Sequence, residues 1–278
     1  MSSQSEQSRL LQQAFSRLDK KKNQPQFRRR PHDDFWASLA RTQENIVTSY
    51  TDREASWGIY GENFRSHLKT FSHIFDVAEL NPLMQVSKEG LVVVDALGPG
   101  GWIKEQLHKE DLSIKKGFAL TLSDERPDFE KIYDEHTQKF YLVPGNVFSP
   151  DTVDQFLTTL KDEKIDFLMC RPYGGLSCLP LSLNTLNAVL LFGFIHTLYE
   201  KTKDNGILLF QTTSQLEPLL KAWDAQLNSH HQNMFTLDID AKNETFRVFK
   251  LIKKTEDLPA LPLSQIRALF RERKKLSF

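Results

Sequence analysis

The chain has 278 residues, 40% of them hydrophobic and 26% charged, with 36 Lys and Arg against 36 Asp and Glu. That length holds one large domain with tails or two small ones, and the composition excludes a collagen-like or wholly disordered protein. The longest apolar run, Ala188 to Ile195, is far short of the ~20 residues that span a bilayer, so no membrane association is expected. Residues 1–30 lack the apolar stretch of a secretory signal. Two cysteines, Cys170 and Cys178, support neither a disulfide framework nor a zinc site. The expected setting is reducing and intracellular, cytoplasm or nucleus ahead of mitochondrion.

The balanced charge hides an uneven distribution. Residues 1–30 carry eight basic and two acidic side chains, and residues 264–278 carry five and one, so the middle of the chain is acidic. Basic ends on an acidic body point to tails that attract a polyanion, RNA or DNA phosphates. A solvated tail or a localisation signal is the competing reading, and a protein partner is the other candidate.

In chain order, residues 1–32 read as a basic, flexible tail in which Leu10, Leu11, Phe15 and Leu18 form at most a short amphipathic helix. Residues 33–82 read as a helical extension. Phe35, Leu39, Ile46, Val47 and Tyr50 define one helix; Phe64, Leu68, Phe71, Phe75 and Ala78 define another, ending before Asn81-Pro82. From residue 83 to 255 the rhythm changes. Strand candidates Leu91–Ala96, Gly117–Leu122, Phe140–Val143, Ile165–Cys170 and Gly206–Gln211 alternate with helix candidates over 102–110, 127–136, 150–162 and 182–203. Five βα units argue for a parallel sheet covered on both faces. After a helix over 214–228, Met234–Asp240 and Thr245–Lys253 read as a hairpin joined by Ala241-Lys242-Asn243-Glu244. The expected fold is α/β: a Rossmann-like, doubly wound, mostly parallel sheet with a C-terminal antiparallel hairpin. Residues 256–278 follow as a Pro-containing linker and a basic helix.

The sharpest local signal is Asp95-Ala96-Leu97-Gly98-Pro99-Gly100-Gly101-Trp102, closing the first strand and opening a helix. Ligands of open α/β sheets bind beyond the carboxyl ends of the strands, and glycines there let backbone approach a ligand. Neither a GxxxxGK[ST] phosphate loop nor the third glycine of a dinucleotide fingerprint is present. The loop therefore suits a ligand held without phosphates, beside a carboxylate. A tight turn without ligand is the competing reading.

This segment resembles the S-adenosylmethionine loop of class I methyltransferases, and in particular the Ala-Pro-Gly-Gly-Trp form of FtsJ/RrmJ-like RNA ribose 2'-O-methyltransferases. Arg65-Ser66 with Lys69 looks like that family's Arg-Ser…Lys helix, and the resemblance covers roughly residues 62–253. It implies S-adenosylmethionine as cofactor over Gly98, Pro99, Gly100, Gly101 and Trp102, with Asp95 orienting one end. Asp124 or Glu125 would hold the ribose hydroxyls, and Asn146 and Val147 would flank the adenine. The spacing from Asp95 to Pro99 is one residue shorter than in the family, which displaces the acidic contact.

The family activates its ribose hydroxyl with a Lys-Asp-Lys-Glu tetrad. Its first lysine falls on or near Lys69, although strict spacing points to Phe71. The aspartate falls on Arg171, the second lysine on Gln211, and the glutamate on Thr245 beside Glu244. Glutamine does not titrate and arginine stays protonated, so neither serves as a base. An active site would need a relocated set, Lys69 with Glu244. Cys170-Arg171-Pro172-Tyr173 half resembles the Asn/Asp-Pro-Pro-Tyr motif of base amino methyltransferases, and Arg171 could instead bind an RNA phosphate. The resemblance implies a methyltransferase acting on RNA, at ribose or base amino group. The alternative is a catalytically inactive methyltransferase-like module that binds RNA or protein.

Overall fold

A computed structural model describes residues 64–109, 112–121, 124, 126, 128–145, 150–171 and 185–259. The tail, the helix expected from Phe35 to Tyr50, the basic C-terminal helix, and Glu125, Asn146 and Val147 lie outside the described residues.

The strands form where short apolar runs were expected: β1 Leu91–Ala96, β2 Ile114–Thr121, β3 Phe140–Pro144, β4 Ile165–Cys170 and β5 Thr202–Thr213, with β6 Phe235–Ile239 and β7 Phe246–Ile252. They make one sheet in the order β3-β2-β1-β4-β5-β7-β6. The first five pair in parallel and β7 pairs antiparallel to β5 and β6. This is the doubly wound, Rossmann-like sheet with a C-terminal antiparallel hairpin. The order reverses between β1 and β4, which opens a crevice beyond their carboxyl ends.

Period-two alternation divides the strand side chains between two cores. Val92, Val94, Phe118, Leu120, Leu168 and Leu208 face one core with α5 (Pro150–Leu160), α6 (Thr185–Glu200) and α7 (Glu217–His230). Leu91, Val93, Ala119, Phe167, Met169 and Leu209 face the other with α1 (Phe64–Lys69), α2 (Asn81–Val86) and α3 (Gly101–Lys109). On α7, Leu219, Leu220, Trp223 and Leu227 recur at helical spacing and are all buried. Asp166 interrupts an otherwise apolar strand, yet is 1% exposed. Its carboxylate accepts from the Val92 N–H at 2.8 Å, the Ser87 hydroxyl at 3.2 Å and Lys203 Nζ at 2.7 Å, so the buried charge is paired and hydrogen-bonded.

The structure corrects the expected second N-terminal helix. Instead of one helix from Phe64 to Ala78, α1 stops at Lys69, turns carry Phe71, Ile74 and Phe75 into the second core, and a 3-10 turn spans Val77–Leu80. Asp76 caps that turn and Glu79 returns the bond to the Asp76 N–H, a reciprocal cap that favours a new start over continuation. Asn81-Pro82 opens α2 rather than ending a helix, because a proline in the first turn removes an N–H that has no helical partner. Residues 64–86 therefore share a core with the sheet.

The helix after β2, α4 (Asp128–Thr137), is unusual. Its one buried side chain is Asp134, and it adds no described residue to either core. Lys104 of α3 lies with its Nζ 2.6 Å from Glu130 and 3.1 Å from Asp134, Arg126 just before α4 lies 2.6 Å from Asp134, and Tyr133 meets the His108 ring of α3 edge-on at 6.3 Å.

Candidate functional site

The glycine turn lies where the sheet order reverses, between β1 and α3. Leu97 and Gly100 both take left-handed backbone, with φ of 67° and 74°. Asp95, 4% exposed, turns its carboxylate beneath the turn and accepts the Gly100 N–H at 2.8 Å. Burial pushes the Asp95 carboxyl up to about 7, opposed by the Gly100 N–H and by the nearby Trp102 indole. A carboxyl added to this apolar floor is kept neutral far more readily than one in water. Neighbouring Cys170 is also buried, and its thiol is pushed up by that burial and by Asp95.

Gly98 and Gly100, expected to let backbone approach a ligand, also lie against side chains of the protein itself. A Cβ at Gly100 would lie 2.5 Å from two ring carbons of Phe140 and 2.9 Å from the Ala119 Cβ. A Cβ at Gly98 would collide with the Asp95 carboxylate. Both glycines are demanded by what lies under the turn. Trp102 is likewise turned inward, 1% exposed, stacked on Phe64 at 5.4 Å and edge-on to Phe167 at 6.0 Å. Pro99 and Gly101 stay half-buried. Asp124 follows β2 and is gripped by Arg126, whose Nε and Nη2 donate to its two oxygens at 2.8 and 2.7 Å. Burial works to raise the Asp124 carboxyl, but Arg126 outweighs it and holds it below the usual range.

The residues expected to carry chemistry gather only in part. Gln211, 8% exposed on β5, donates to the Asp240 carboxylate. Asp240 also accepts the Lys242 N–H at 2.7 Å and the Asn243 N–H at 3.3 Å. Arg171 follows β4 and donates from Nη1 to His67 Nδ1 at 3.5 Å. Burial, with Lys242 adding to it against Glu105, lowers His67 to about 4, so its ring is neutral and accepts. Phe71 is fully buried. Lys69 and Glu244 are exposed, and no ion pair joins them among the described residues; the relocated Lys69–Glu244 set is not assembled.

The lysine that does reach this cluster is Lys242, which the sequence presents only as a hairpin-turn residue. Its Nζ donates to Ser66 Oγ at 2.9 Å. Burial, then Arg171 and Lys69, lower its pKa against the pull of Asp240. Nothing in a four-residue turn reveals this, because the perturbing groups come from β4 and α1. Among the described residues no group of His, Cys, Asp and Glu could hold a metal ion, and no helix is long and apolar enough to cross a membrane.

No protein-family model matches the chain, and no curated protein sequence matches it. Among solved structures, it is similar to human methyltransferase-like protein 13 in complex with SAH, at 14% identity and a TM-score of 0.42 over 74% of this chain and 90% of that one. It is similar to an O-methyltransferase from Bacillus cereus in complex with SAH, at 11% identity and a TM-score of 0.39 over 76% and 90%. A third is an rRNA methylase from Streptococcus thermophilus, at 16% identity and a TM-score of 0.39 over 60% and 89%. Likenesses this distant carry no argument about activity.

Proposed function

We propose that this chain binds S-adenosylmethionine at the β1–α3 turn and transfers its methyl group to RNA. The observation that carries the reading is a glycine turn at the point of strand reversal, held from beneath by the Gly100 N–H donating to Asp95. When bound, the cofactor would supply an electrophilic methyl on a sulfonium for an acceptor oxygen or nitrogen. The turn Gly98–Gly101 fits that group as backbone. Asp124 fits as a ribose-hydroxyl acceptor, held ionised by Arg126. Asp95 holds the turn from beneath through the Gly100 N–H.

In place of the tetrad, we infer that Lys242, exposed on the β6–β7 turn and donating to Ser66 Oγ at 2.9 Å, takes the acceptor's proton. A lysine with lowered pKa is neutral for a larger fraction of the time near pH 7. Arg171 beside it would orient an RNA phosphate. Replacing Lys242 with Met is expected to cut methyl transfer roughly 10²–10⁴-fold while leaving cofactor affinity unchanged. Unchanged turnover would remove Lys242 from the chemistry.

The second reading, a module that binds RNA or protein without catalysis, is favoured by one observation: Gln211 is locked to Asp240 where the family has a lysine. Calorimetric titration with S-adenosylmethionine and its demethylated product separates the two. Micromolar binding followed by labelled transfer to RNA supports the enzyme; no heat from a folded chain overturns it. For the basic ends, replacing Arg28, Arg29 and Arg30 with Gln is expected to flatten the salt dependence of RNA binding, by about 0.7–0.9 in log–log slope per lost phosphate contact. An unaltered slope would exclude phosphate contacts from that segment.

A further inference from the structure

The outward face of α4 is apolar and largely exposed; among the described residues its ring contact is Tyr133, edge-on to His108 of α3 at 6.3 Å. Phe129, Ile132 and Tyr133 are 70%, 65% and 56% exposed and recur at i, i+3 and i+4, one stripe of a helix. Amphipathic helices ordinarily turn such a stripe to the core; here Asp134 and Glu130 occupy the inner side with Lys104 and Arg126. Beside the stripe, α3 and α4 enclose a groove of about 820 Å³ that reaches from Gly101 and Glu105 to Phe129 and Tyr133. The stripe and the groove together form an apolar surface with a polar floor.

The path of the chain says what lies within reach. Phe64, the first described residue, is fixed on the α3 wall: its N–H donates to Glu105 at 2.6 Å and its ring stacks on Trp102. Glu105 itself lines the groove. The polypeptide before Phe64 therefore arrives at the groove's edge, and its sequence carries Phe35, Leu39, Ile46, Val47 and Tyr50 at helical spacing. The step from Tyr50 to Phe64 covers up to about 45–50 Å when extended, several times the width of a helix. Tethering makes the encounter intramolecular, with an effective concentration in the millimolar range for a short linker.

We propose that residues 33–50 of this same chain dock their apolar positions on the Phe129–Ile132–Tyr133 face of α4 and fill the α3–α4 groove. The groove meets the proposed cofactor turn at Gly101, and the docking is read by exchange without cofactor.

The test is amide hydrogen exchange on the full chain, comparing wild type with Leu39→Asp/Ile46→Asp. Protection over residues 128–137 in the wild type, lost by about tenfold or more in the variant while β1 amides are unchanged, supports the docking. Should the double substitution also loosen β1, Leu39→Ala/Ile46→Ala is the milder pair for the same comparison. The reciprocal Ile132→Asp is expected to speed exchange over residues 33–50. Equal exchange over 128–137 in wild type and variant overturns the proposal. Protection that rises with protein concentration also overturns it, and gives the face to a second copy of the chain.

Discussion

Gly100→Val is expected to destabilise the fold by about 2–5 kcal/mol, combining left-handed backbone strain with overpacking. Gly100 sits at φ 74°, where a side chain crowds the neighbouring carbonyl. A Cβ there meets the Phe140 ring and Ala119 before any further carbon is added. Neither neighbour gives way easily: Ala119 is in β2, between β1 and β3, and Phe140 is 2% exposed under Lys104, whose Nζ lies 5.0 Å from the ring centroid. Against a total stability of about 5–15 kcal/mol, this loss would be read directly as a lower urea midpoint. Phe140→Leu in the same chain should recover part of it, since the two substitutions share one space. An unchanged midpoint with lost cofactor affinity would instead mean that Gly100 faces the ligand, as the sequence suggests.

The second large effect is on the pH dependence of stability. With the Asp95 carboxyl up at about 7 in the folded protein and near 3.9 in the unfolded chain, the folded state holds one more proton between those values. Stability must therefore fall as pH rises through that window, by about 4 kcal/mol in total at most. Asp95→Asn keeps an oxygen for the Gly100 N–H and does not titrate. The variant should lack that fall and exceed the wild type at pH 8. His67 contributes in the opposite direction. Its ring, lowered to about 4, stays neutral while the unfolded ring protonates below about 6.5, so its contribution is lost as pH falls from there. That contribution is common to both proteins and cancels in their difference. Parallel unfolding profiles for wild type and variant between pH 5 and 8 would exclude a neutral Asp95.

Much of the architecture is legible in the residue pattern. β1 and β4 have the bounds that their apolar runs imply, and the hairpin of β6 and β7 follows from two alternating runs around a polar turn. A parallel strand buried on both faces reads as a continuous apolar run, so its ends coincide with the ends of the run. The region before β1 was less legible. Phe64 to Ala78 has helical spacing, but Asp76 with Glu79 forms a local cap, and a cap is decided by which backbone N–H groups need a partner. The helix α4 was legible over 127–136, but not that its apolar side points outward. Periodicity records that a helix has two faces; it does not record which one meets the sheet.

The site divides in the same way. Sequence alone determined that a glycine turn would close the first strand of a doubly wound sheet, because strand, turn and helix signals are local and contiguous. Alignment of Arg171, Gln211 and Thr245 with a catalytic tetrad came from the resemblance and not from the residue pattern. Only the tertiary structure decided that the turn's glycines answer to Phe140 and Asp95 beneath them. It alone drew Lys242 to Arg171 and Ser66, and sealed Asp166 under three donors from separate segments. Such contacts join residues tens of positions apart, and their energies depend on burial and on distance in space, neither of which is written in the order of the chain.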